Sequence, residues 1–115
     1  MAEIAALLDS SAVFVLFEST GFVMGRAAAG EAELLTLAVQ PDARRQGTGR
    51  HLVQAFLTEA TARGADTAFL EVAAGNMAAI RLYERSGFTL AGRRKAYYST
   101  HSGQAEDALI LSRAL

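Results

Sequence analysis

The chain contains no cysteine, which excludes a disulfide framework, a thiolate metal site and a cysteine nucleophile. Its two histidines, His51 and His101, stand far apart and match no metal-ligand spacing, so no metal is expected. A single proline among 115 residues, with 51% of them hydrophobic, is the composition of a folded chain rather than a disordered one. The formal net charge of -1 supplies no basic face of the kind that general nucleic-acid binding requires. No apolar run approaches the roughly 20 residues of a membrane span. The N-terminus shows no basic region followed by an apolar one, so no signal peptide is visible. These absences predict a cytoplasmic protein with no membrane or direct nucleic-acid partner. Its length suits one domain over residues 1–115, with one core.

The hydrophobic pattern predicts an α/β fold with a mixed sheet. Residues 1–8 carry Ile4, Leu7 and Leu8 at helical spacing. Residues 12–17, 22–29 and 32–39 read as three strands. Their connections are too short for crossovers, so the strands form an antiparallel meander. Pro41 stops the third strand, because proline cannot donate to a ladder. A helix over 51–63 follows, with Leu52, Val53, Phe56, Leu57 and Ala60 on one face. Residues 67–74 return as a strand, which implies a parallel pair across the helix. A second helix runs from the N-cap Asn76 to about 86, with Ala79, Ile80 and Tyr83 on one face. Residues 88–96 and 106–111 are the last strands, joined by the polar loop 99–104.

Between the third strand and the first helix lie Arg44, Arg45, Gln46, Gly47, Thr48, Gly49 and Arg50. Glycines one residue apart allow a tight turn and bring bare N–H groups close to a ligand. The first N–H groups of a helix have no internal partner, and the helix dipole adds partial positive charge there. With three arginines this suits a phosphate, and a pyrophosphate in particular. The plainer alternative is a surface turn with solvated arginines. The stretch is not a Rossmann fingerprint, which needs a third glycine, nor a P-loop, which ends in Gly-Lys-Ser/Thr.

Two further residues stand out. Glu71 interrupts an otherwise apolar strand that reads as buried on both faces. A carboxylate there must be paired, solvated through a cleft, or protonated. It is either an edge residue facing water or a general base whose pKa partial burial raises. Tyr83 is either a core aromatic with its hydroxyl at the surface or a proton donor to a thiolate leaving group.

Three passages resemble the GCN5-related N-acetyltransferase superfamily, and within it the bacterial ribosomal-protein alanine N-acetyltransferases. They are 37–50, containing the acyl-CoA signature Arg/Gln-x-x-Gly-x-Gly/Ala as Arg44, Gly47 and Gly49; 70–76, containing Glu71 and Asn76; and 79–88, containing Tyr83 and Gly87. Weaker echoes lie at 93–98 and 106–111. The resemblance implies a mixed central β-sheet flanked by helices and acetyl-CoA as co-substrate. It places Leu37, Ala38 and Val39 along the pantetheine arm, Arg44 to Arg50 around the pyrophosphate, and Asn76 against the cofactor arm. It makes Glu71 the general base and Tyr83 the general acid of direct acetyl transfer, without metal or covalent intermediate.

The acceptor implied is the N-terminal amine of a protein, such as a ribosomal protein. Family members begin with a strand and helix that have no counterpart before 1–8. In the family that region walls the acceptor groove, so a shortened version or a second subunit supplying the wall, as in a homodimer, is expected. A small-molecule amine acceptor on the same scaffold, or a non-catalytic acyl-CoA-binding remnant, remain the alternatives.

Overall fold

The computed structural model describes residues 12–44, 47–99 and 105–115. The expected helix over 1–8, and Arg45 and Gln46 of the glycine turn, lie outside the described residues. Strands β1 (Val13–Glu18), β2 (Gly21–Ala28) and β3 (Glu31–Val39) form the expected antiparallel meander. A 3-10 turn at Pro41–Ala43 leads to helix α1 (Thr48–Ala62) and strand β4 (Thr67–Ala73). Helix α2 (Met77–Arg85) and strands β5 (Thr89–Ser99) and β6 (Ala105–Ala114) complete the chain. The strands form one six-stranded sheet in the order β1-β2-β3-β4-β6-β5, and β3 and β4 are its parallel neighbours. The mixed α/β sheet is therefore present. Among the described residues, no helix is long and apolar enough to cross a membrane.

The core forms on one face of this sheet. The predicted stripe of α1, namely Leu52, Val53, Phe56, Leu57 and Ala60, is buried in full. It meets Phe14 of β1, Val23 of β2, and Ala32 and Leu34 of β3 in one cluster. Ile80 and Tyr83 of α2, and Ala68, Leu70 and Val72 of β4, join the same cluster. Successive strand residues point to opposite faces. The intervening residues Arg26, Glu33, Phe69 and Glu71 therefore share the other face.

Three expectations are corrected. Strand β4 is not buried on both faces: its residues alternate between buried and half-buried along its whole length. Helix α1 begins at Thr48 rather than at 51, because Gly47 takes the turn alone in the left-handed region, at φ 85°. Gly49 and Arg50 therefore lie in the first helical turn. The last two strands are longer than their hydrophobic pattern suggests, because β5 and β6 pair with each other out to Ser99 and Ala105.

Gly25 marks the closest approach of α1 to the sheet. A Cβ there would lie 2.7 Å from the rings of both Phe14 and Phe56, which stack with centroids 5.9 Å apart. Two rings locked against each other cannot both yield. Gly25→Ala should destabilise the fold by about 1–3 kcal/mol, the usual scale of overpacking. Urea unfolding reads this directly, and an unchanged midpoint would show that the rings move aside freely.

Candidate active site

The site begins with a break in pairing. β3 and β4 are in register from Glu31 opposite Thr67 to Glu33 opposite Phe69, and the ladder stops there. β3 nevertheless runs on to Val39 and β4 to Ala73. The cause lies on the other side of β3. Gly25 of β2 faces Leu34 but Met24 faces Thr36, which leaves Leu35 as an extra residue. Such a bulge bends its strand and increases the local twist. Beyond it, β3 keeps its bonds to β2 and swings clear of β4. The gap between the parted strands lies at the carboxyl ends of both. Ligands in open sheets with parallel strands bind at such carboxyl ends.

Leu37, Ala38 and Val39 line the β3 side of this gap. Leu37 and Val39 pack against the core, and Ala38 is exposed. The chain then turns through Pro41 to the α1 N-terminus. The Arg44 Nε–H donates to the Val39 carbonyl at 3.4 Å. The first internal bond of α1 runs from the His51 N–H to the Gly47 carbonyl at 3.0 Å, so the preceding N–H groups have no helical partner. Gly47 caps the helix without a side chain, and no acidic residue lies in the first turn. Arg44 and Arg50 are exposed beside it.

Gly49 serves packing as well. A Cβ there would lie 3.2 Å from Leu82 and 4.0 Å from Leu37. Its small size brings β3, α1 and α2 together at one point. Thr20, which sequence reasoning missed, places its Oγ1 3.3 Å from the Thr48 Oγ1 and ties the β1–β2 turn to the same helix start. No motif marks it.

Across the gap stands Glu71, half-buried and paired. Its Oε1 lies 3.0 Å from the Arg94 Nη2, with the two side chains 22% and 51% exposed. Of the three states expected for this carboxylate, it adopts pairing in a partly solvated cleft. Glu33 joins it from β3. Burial, and then the charge of Glu71, push the Glu33 pKa above its ordinary value, while Arg26 and Arg94 pull it down. Arg26, Glu33 and Phe69 also line an open groove of about 180 Å³ on this face. Sequence reasoning missed Glu33, Arg26 and Arg94. The alternation Glu31, Glu33 in β3 was the available signal, since a strand carrying carboxylates at every second position presents them on one face.

Tyr83 sits on the helical side of the sheet, 7% exposed. Its place is fixed by the way α2 ends. Gly87 takes φ 93°, the Gly87 N–H donates to the Glu84 carbonyl, and the Phe88 N–H donates to the Tyr83 carbonyl, each at 3.0 Å. This is a Schellman stop, which brings the residue after the glycine onto the last helical turn. The Tyr83 and Phe88 rings accordingly meet edge to face, 6.0 Å apart. Burial raises the Tyr83 pKa, which keeps the proton on its oxygen at neutral pH.

Asn76 caps α2 as expected, its Oδ1 accepting from the Ala79 N–H at 3.2 Å. The turn before it is pinned from β6, where the Glu106 carboxylate accepts from the Gly75 N–H. A side chain on Gly75 would overlap that carboxylate.

This arrangement is that of an acyltransferase sheet, and the comparisons agree. The model of the acetyltransferase (GNAT) family matches residues 4–88, so the chain belongs to that family. The [ribosomal protein bS18]-alanine N-acetyltransferase of Escherichia coli strain K12 is 45% identical over 91 residues, covering 79% of this chain and 61% of the relative. The chain thus spans less than two thirds of that relative's length. The crystal structure of the Escherichia coli ribosomal-protein-S18-alanine N-acetyltransferase superposes with a TM-score of 0.86 at 36% identity, covering 99% of this chain and 76% of the other. Nourseothricin acetyltransferase follows at a TM-score of 0.75 and 34% identity, covering 83% and 57%.

The raised Glu33 pKa has a measurable sign. The folded chain holds this proton more tightly than the unfolded chain, so stability is lost as pH rises from the ordinary carboxylate value through the raised folded value. Glu33→Gln removes that loss. It should raise Tm at pH 7 and leave Tm unchanged below about pH 4, where the carboxyl is protonated in both states. A lower Tm at pH 7 would show that pairing with the arginines outweighs desolvation.

Proposed function

We propose that the chain is an N-acetyltransferase that moves an acetyl group from acetyl-CoA directly to an amine, and that this amine is the N-terminal alanine of a ribosomal protein. The observation that carries the reading is the parting of β3 from β4 beyond Glu33, with the glycine-opened N-terminus of α1 at one end and Glu71 across the gap. The residues fit the co-substrate. The left-handed Gly47 and the N–H groups of Thr48, Gly49 and Arg50, which have no helical partner, receive the pyrophosphate, aided by the charge of Arg44 and, as the family motif implies, by Arg45 and Gln46. The backbone of Leu37, Ala38 and Val39, freed from β4, pairs with the pantetheine arm as an added strand does. Asn76 contacts the arm from the start of α2.

Glu71 takes one proton from the acceptor ammonium. An α-amino group has a pKa near 8, so a modest base acting through water suffices. The β3 backbone polarises the thioester carbonyl towards attack. Tyr83 gives its proton to the departing sulfur and recovers one from the acylated nitrogen by way of solvent. Burial makes the phenol a weaker acid, so donation to the thiolate runs uphill and is drawn by the charge developing on the sulfur as the thioester breaks.

The name of the 45% identical relative supports an alanine N-terminus as acceptor. A small-molecule amine is the second reading, supported by the likeness to nourseothricin acetyltransferase.

The first measurement is mass-spectrometric detection of acetyl transfer to a peptide beginning with alanine, compared with polyamines and antibiotic amines. Acetylation of the peptide α-amine supports the first reading, and transfer only to small amines supports the second. Glu71→Gln should retain acetyl-CoA binding and lower turnover about a hundredfold or more; undiminished turnover removes Glu71 from the mechanism. Gly47→Val should abolish acetyl-CoA binding. Among the described residues its Cβ meets nothing within 4 Å, so the loss would come from backbone strain and a blocked ligand approach. Unchanged affinity would sink the phosphate-turn reading.

A further inference from the structure

The candidate base is not alone. The Arg94 guanidinium lies 3.0 Å from Glu71, where it satisfies the charge that an acceptor ammonium has to meet. Two cations on one half-buried carboxylate repel each other, and the low local dielectric strengthens that repulsion. We propose that Arg94 holds the place on Glu71 that the acceptor ammonium takes, so that acceptors bind by exchanging with this guanidinium. The inference rests on reading Glu71 as the base, and it makes Arg94 a positioning residue that sets acceptor affinity.

Three observations carry it. The Arg94 side chain is 51% exposed, so it has room to swing on its long stem. The β5–β6 register shifts between Arg94 and Tyr98, so β5 leaves regular pairing just past this side chain and bends there. A second carboxylate is at hand to receive the displaced charge: Glu33 on β3 already feels Arg94, and its proton affinity is raised by burial and by Glu71. Displacement therefore moves Arg94 from one carboxylate towards another instead of releasing it unpaired. The charged groups on this face are few. β2 brings Arg26, β3 brings Glu31 and Glu33, and β4 brings Glu71. β6 places Ile110 opposite Glu71 and Ala108 opposite Arg94, and two residues further brings Glu106, whose carboxylate accepts from the Gly75 N–H. Glu33 is a carboxylate that already interacts with the guanidinium.

The test compares Arg94→Met and Arg94→Lys with the wild-type chain at saturating acetyl-CoA, using a peptide beginning with alanine. If Arg94 competes, Arg94→Met lowers the acceptor KM about fivefold, the scale of one half-exposed ion pair, and kcat does not fall. Arg94→Lys keeps a competing cation and stays near the wild-type KM. An acceptor KM that is unchanged or raised in Arg94→Met overturns the exchange, because a guanidinium that merely steadies Glu71 would weaken acceptor binding when removed. Peptide affinity for the CoA-loaded protein, followed by NMR shifts, reads the same point without turnover. There Arg94→Met should bind more tightly than wild type, and equal or weaker binding overturns the proposal. A wild-type chain that transfers acetyl to no amine overturns the proposed function instead, and the NMR comparison still decides the exchange.

Discussion

One extra residue in β3 sets the geometry of the whole site. Leu35 is the residue that β2 does not match, and from there β3 stays with β2 and leaves β4. A parallel pair that kept its ladder would present no free edge and no gap between the strands. The bulge creates both. The freed backbone lies on β3, and the partner strand carries Glu71 on the face away from the helices. The helix that follows β3 brings its N-terminus to the end of the same strand. The polar groups that would otherwise be a defect in a sheet are those that the proposed function uses to hold an extended ligand.

The two faces of the sheet divide the chemistry. The helical face is apolar and closed around Phe56, Phe88, Leu52 and Leu70. It holds Tyr83 in a dry setting that favours the protonated phenol. The opposite face carries Arg26, Glu33, Glu71 and Arg94, half-open to water. The proposed proton donor and proton acceptor thus occupy environments of different polarity, on opposite faces of the sheet. That separation lets one group keep its proton while another remains able to take one.

Much of this was legible in the sequence. The stripe of α1, the Asn76 cap and the stop at Gly87 follow from local rules of spacing and capping, and they appear where those rules put them. The glycine turn was legible in kind but not in detail, since helix α1 already contains Gly49. Glu71 stood out because a charge in an apolar strand demands a partner. Which partner was not legible, because Arg94 meets it only through the β4–β6–β5 order, a tertiary fact. The same holds for Glu33, whose neighbours come from three other strands, and for Glu106, which reaches Gly75 across the sheet. The bulge at Leu35 leaves no mark, because its cause is a mismatch between two strands and not a feature of either one.

The contact at Gly49 has a mechanical meaning. The first turn of α1 rests on Leu82, the residue before Tyr83, and on Leu37 of β3. The end of α1 suited to anions and the helix that carries the phenol are therefore packed directly against each other at Gly49 and Leu82. A load applied at the start of α1 is transmitted to α2 through packed side chains, with no loop between to absorb it. The two ends of an elongated ligand would press on one stiff body, so that seating one end also sets the alignment of the other.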